Sequence, residues 1–123
     1  MATIRFGRMQ HRIMQFLWER GEANARDITD ALNREASVAH STVQTLLRKL
    51  EQKGAIDHKV QERTFVFFPL VEQHKARRSA TQEFLDRVFG GSAAGLVAHL
   101  LEHEKIPRKE LEQIKKLIGE KEP

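Results

Sequence analysis

The sequence predicts a mainly α chain in two parts, three short helices backed by a β-hairpin and then a further run of helices. Two observations carry this. Apolar residues recur at helical spacing three times before residue 54 and three times after residue 72, and between these stretches the pattern becomes extended, β-branched and aromatic. With no Gly/Ser-rich linker or internal repeat to mark a junction, the change of character places the boundary between residues 1–71 and 72–123.

Met9, Ile13, Phe16 and Leu17 share one face of a helix predicted over residues 9–20, and Gly21 stops it. Trp18, on the same turn, belongs with the core. Asn24 offers an N-cap, with Asp27 three residues on, to a short second helix that carries Ile28, Ala31 and Leu32 on its apolar side. A polar break over residues 33–37 follows. Residues 41–53 then form a third helix with Val43, Leu46, Leu47 and Leu50 inward, and Gly54 closes it in the left-handed conformation. Residues 55–59 and 64–70 read as strands, with the polar residues 60–63 as the tip between them. Phe65 and Phe67 fall on one face of the second strand, Val66 and Phe68 on the other. Helix, helix, helix, hairpin is the order of a winged helix-turn-helix.

Beyond Glu72 the spacing returns to helix. Phe84, Leu85, Val88 and Phe89 cluster ahead of Gly90-Gly91, Leu96, Val97, Leu100 and Leu101 make a second stripe, and Pro107 opens a last helix bearing Leu111, Ile114, Leu117 and Ile118. Three stripes on about fifty residues are more than so small a unit can bury within itself. The expectation is a helical dimerisation region in which these residues face a second copy of the chain.

The chain has 123 residues, 21 Lys and Arg against 17 Asp and Glu, and a net charge of +4. That balance suits an anionic partner without demanding one. The absence of cysteine removes disulfides, thiolate metal sites and cysteine nucleophiles together. No apolar run approaches the roughly 18 residues that a membrane span requires, and no signal-type stretch opens the chain, so a cytoplasmic protein without membrane insertion is expected. No glycine-rich phosphate loop and no paired carboxylates in apolar surroundings are found, which argues against an enzyme and against a cofactor.

The third helix supplies the chemistry. With its apolar residues inward, it turns Ser41, Gln44, Thr45 and Arg48 outward, with Gln52 further along. Gln suits adenine, Arg suits guanine, and Ser or Thr suits base or phosphate, so this inventory can read base edges in the major groove of double-stranded DNA. Lys59, Gln61 and Arg63 at the hairpin, with Arg5 and Arg8 before the first helix, are candidate phosphate contacts, which position a protein without naming a sequence. His40 and His58 flank the third helix. The same fold also allows a protein-interaction module, which would show apolar anchors on that outward face, or a ligand- or metal-responsive regulator. His99 and His103 stand four apart on a predicted helix, a metal-compatible spacing, but no third ligand is near, and no metal site is expected.

The run STVQTLLRKLEQKGAIDHK over residues 41–59, followed by FVFFP over 65–69, resembles the BlaI/MecI penicillinase-repressor family. The segment Ile13 to Trp18 is similar to that family's first helix, and the likeness extends through the last helix. What the resemblance implies is a dimeric transcriptional repressor on a palindromic operator, an antibiotic-resistance regulator whose third helix enters the major groove while the C-terminal helices hold the dimer. Thr42 and Thr45 match the family's two threonines, and Gln44 occupies the variable position between them. The resemblance also brings in a membrane sensor protease as a regulator, with cleavage falling at His99-Leu100.

This chain departs from the family at three places. Val38 stands where a tryptophan is usual, and Ala39 and His40 replace the N-cap and a following proline, so the third helix is expected to begin a residue or two away. The Asn-Phe pair cut in sensor-controlled members is absent at His99-Leu100, which speaks against β-lactam control. Without cysteine, copper sensing through a C-terminal cysteine motif is excluded.

Overall fold

The computed structural model describes residues 4–122. The elements, in chain order, are α1 (Arg8–Arg20), β1 (Ala23–Asn24), α2 (Ala25–Leu32), α3 (His40–Gln52), β2 (Ile56–Gln61), β3 (Thr64–Pro69), α4 (Gln73–Phe89), α5 (Ala93–His103) and α6 (Arg108–Lys121). The chain divides into two compact units, Met1–Thr81 and Gln82–Pro123, and the division falls inside α4.

The first unit is a winged helix. Its three helices close over Ile13, Met14 and Leu17 of α1, Ile28 and Leu32 of α2, and Val43, Leu47 and Leu50 of α3. Burying a side chain of this size contributes roughly 1.5–3 kcal/mol, so these positions hold the unit together. Leu46, expected inward, lies at the edge of the core and is only partly covered. Gly54, at φ +79°, turns the chain from α3 toward the sheet. Trp18 also sits at the core edge, where its indole Nε1 donates to the Val71 carbonyl at 2.8 Å. The polar end of the ring explains the placement.

The sheet has three antiparallel strands in the order β1-β3-β2. Sequence alone missed β1. Its two residues pair with β3, which ends at Pro69, one residue short of the expected 64–70, with Ala23 opposite Phe67 and Asn24 opposite Val66. The wing is also longer than expected, because Val60 and Gln61 extend β2 and pair with Phe65 and Thr64. The loop is therefore only Glu62-Arg63, both at positive φ (50° and 68°). Two left-handed residues give a turn whose twist matches that of the strands, a conformation that glycine or asparagine adopts more readily.

Gln82–Pro123 is built differently. Ser92 caps α5 by accepting the Gly95 amide at 2.9 Å, and Pro107 precedes α6 as its N-cap residue. Phe89 touches Phe84 and His99 edge-on at 5.8 Å each. None of its described residues is buried. Leu96, Leu111 and Ile114 are half-buried, while Phe84, Val88, Val97, Leu100, Leu101, Leu117 and Ile118 stand exposed. Among the described residues no helix is long and apolar enough to cross a membrane.

Candidate nucleic-acid interface

Placement of α3 begins with α2. Asn24 caps α2 by accepting the Asp27 amide at 2.8 Å, as its position predicts. At the other end, the Asn33 amide nitrogen donates to the carbonyls of Thr29 and Val38 at 2.8 and 2.9 Å, and its oxygen accepts the Val38 amide at 3.0 Å. One side chain thus fixes the turn that aims α3. The Thr29 hydroxyl donates to the Ala25 carbonyl at 2.8 Å, so it receives the His40 Nδ1 proton at 2.9 Å. His40, which the sequence placed beside the third helix, is the first residue of α3 and ties it to α2.

The helix starts one residue before the expected Ser41, and Ala39 provides no side-chain cap. Its first amides are left to solvent or to an anion. Ser41, Thr42, Gln44, Thr45 and Arg48 are all exposed, as expected from the burial of Val43, Leu47 and Leu50 on the opposite face. The Thr45 hydroxyl donates to the Ser41 carbonyl at 3.1 Å.

A cleft of about 700 Å³ lies between α3 and the wing. Gln44 and Arg48 of α3 line one side and Arg63, Thr64 and Phe65 of the wing the other, with Asn24 of β1, Arg26 of α2 and His40 also at its wall. Three arginines and one carboxylate, that of Glu51, line the concavity, and this positive balance favours an anionic occupant. Arg26 was not among the sequence candidates. It could be found only once α2 and the wing were known to meet across β1.

Lys59 does not line this cleft. It is opposite Val66 on the other face of the ribbon, and its Nζ contacts Glu22 at 3.1 Å. Arg8 is exposed at the start of α1. Nearby, Lys53 donates to the Arg5 carbonyl and, at 2.7 Å, to Gln10 Oε1, so the segment before α1 is held against the end of α3.

The wing is joined to α3 by His58, whose Nδ1 contacts the Glu51 carboxylate. The imidazole stacks on Phe65 at 4.0 Å with the rings 17° apart. Glu51, Asp57 and His58 bring donor atoms within 4.8 Å of one another, and they form the one group of three potential metal ligands among the described residues. Asp57 already accepts the His58 amide at 2.8 Å, and Glu51 and His58 engage each other, so the group serves as a link between helix and wing. The other pair considered, His99 and His103, has rings 4.6 Å apart on α5.

Three helices, a β-ribbon and an exposed polar helix beside a cationic cleft define a winged helix-turn-helix protein of the nucleic-acid-binding class. The profile of the family described as "Penicillinase repressor" matches residues 6–120. The chain belongs to that family, whose members are DNA-binding transcriptional repressors and not enzymes. It is 24% identical over 119 residues to the "Methicillin resistance regulatory protein MecI" of Staphylococcus aureus strain N315, covering 97% of each chain. It is also 24% identical over 108 residues to the "Penicillinase repressor" of Bacillus licheniformis, covering 88% of this chain and 84% of that one. Among solved structures, that of the Bacillus licheniformis BlaI monomeric form in complex with the blaP half-operator matches with a TM-score of 0.51 at 24% identity, over 58% of this chain and 88% of that one.

Proposed function

We propose that this chain is a sequence-specific repressor that binds a palindromic operator as a homodimer, with one α3 in the major groove of each half-site. The observation that carries the proposal is the outward face of α3. Ser41, Gln44, Thr45 and Arg48 are exposed beside the cleft shared with the wing, and none is an apolar anchor of the kind that a protein interface would need. Thr42 is exposed beside them and in this proposal contacts a phosphate or a sugar. The related BlaI monomeric form occupies a half-operator. Two copies joined through Phe84, Val88, Leu96, Val97, Leu100, Leu101, Leu111, Ile114, Leu117 and Ile118 would span two half-sites about one helical turn, or a multiple of it, apart.

Arg63 and Arg8 act on phosphates in this account, and Lys59 assists from outside the cleft. These contacts supply affinity on any duplex, while Gln44 and Arg48 supply choice. The protein works in the cytoplasm, without a cofactor. Regulation by a membrane sensor protease is not part of the proposal, because the Asn-Phe pair is missing at His99-Leu100.

The test is binding selection from random duplex DNA with the full-length chain. Enrichment of an inverted repeat with a fixed half-site spacing is the expected result. Recovery of unrelated sequences, bound no better than bulk competitor, would remove the proposal.

A further inference from the structure

Of the two faces of the wing, the one turned toward α3 is apolar. In an antiparallel ribbon, residues directly opposite each other share a face, so the pairs Val60–Phe65 and His58–Phe67 lie together, while Lys59–Val66 lies on the reverse. Phe67 is buried in the core, but Val60 and Phe65 remain 63% and 50% exposed. Phe65 lines the cleft together with Arg63 and Arg48, and Lys59, the wing's other cation, faces away and contacts Glu22. Large apolar groups left in water next to guanidinium groups are not accounted for by reading base edges with α3 or by phosphate contacts.

We infer that Phe65, with Val60 beside it, packs on the deoxyribose rings of the DNA strand that occupies the cleft. This rests on the operator-binding reading and extends it to a non-ionic contact made by the wing. The chemistry of the lining selects the occupant. A phosphodiester strand alternates anionic phosphates with the C–H faces of its sugars, and the cleft offers Arg26, Arg48 and Arg63 for the first and an aromatic wall for the second. The ring is also held in place before any DNA arrives, because His58 stacks behind it at 4.0 Å and is itself fixed by Glu51, with Phe67 edge-on at 6.3 Å. Little side-chain freedom remains to be lost when the strand docks.

Hydroxyl-radical footprinting tests this directly, since the radical cleaves DNA by taking hydrogen from deoxyribose. The probe is the duplex enriched by the selection experiment, with the full-length chain. For Phe65→Ala, one or two sugars per half-site that the parent protein shields should become reactive while the rest of the footprint persists. Affinity should fall about tenfold with an unchanged salt slope, because no phosphate contact is lost. Phe65→Leu should keep the shielding. Arg63→Gln should instead lower the salt slope by about one. Should Phe65→Ala fail to fold, Val60→Ser decides, with cleavage gained at the same sugars as the supporting result. Unchanged sugar protection in the folded variant, or a fall in salt slope like that of Arg63→Gln, overturns the inference. If the parent protein gives no footprint at all, the operator-binding reading fails first, and the two failures are distinct.

Discussion

Helices with one apolar side occur in both units, yet those sides meet different fates. In Met1–Thr81, twelve of the described apolar residues, from Ile13 to Phe67, are buried, drawn from three helices, all three strands and, with Ala55, the turn between α3 and β2. In Gln82–Pro123 none of the described residues is buried, and Leu117 keeps 62% of its surface exposed. An amphipathic stripe becomes a core only when other elements cover it, and in the first unit α1, α2, α3 and the sheet cover one another. The second unit has too little chain to do the same, so its stripes stay exposed, which is the basis for proposing that a second copy covers them. The first unit carries its own stability, and in the function proposed here the second carries assembly.

The largest expected effect tests the first half of that contrast. Leu50→Ala should cost about 2–5 kcal/mol in urea unfolding, since Leu50 is fully buried where α3 crosses the core. A loss below about 1 kcal/mol would mean that the core is looser than its burial implies. Leu101→Asp tests the second half. It should weaken self-association about 100-fold in sedimentation equilibrium, by placing a charge in a desolvated contact. The urea midpoint of the first unit should not move, and if it did the two roles would not be separate.

Within the first unit, Arg48→Ala should reduce discrimination between operator and competitor by about 10- to 100-fold in filter binding, whereas Arg63→Gln should weaken both equally. Identical profiles for the two variants would merge roles that are here kept apart. Asn24→Ala should cost about 1 kcal/mol of stability, visible as a lower melting temperature, because the Asp27 amide loses its acceptor. The smallest effect belongs to Lys59→Gln. Its contact with Glu22 is half exposed, so the change in stability should be within about 0.5 kcal/mol, and DNA affinity should suffer less than in Arg63→Gln.

The helices were legible because their apolar residues recur every three or four positions, and Asn24 and Gly54 punctuate them with local chemistry that needs no tertiary partner. The polar face of α3 followed from the same periodicity. What escaped was set by contacts distant in sequence. Ala23 and Asn24 become a strand only because Phe67 and Val66 lie alongside, and two residues carry no period of their own. Val60 and Gln61 looked like a loop tip, yet pairing with Phe65 and Thr64 draws them into β2. Lys59 resembled Arg63 as a wing cation until the register put the two in different settings, and Glu22, its partner, is 37 residues away. Arg26 and His40 joined the cleft for the same reason.

Pairing of the second unit with its own copy on DNA is best tested by the mass of the complex. Native mass spectrometry of the full-length chain with the enriched inverted repeat should give two chains per duplex, and one chain on a duplex carrying a single half-site. One chain on the intact repeat at every protein concentration, with no two-chain species free in solution, would contradict the account.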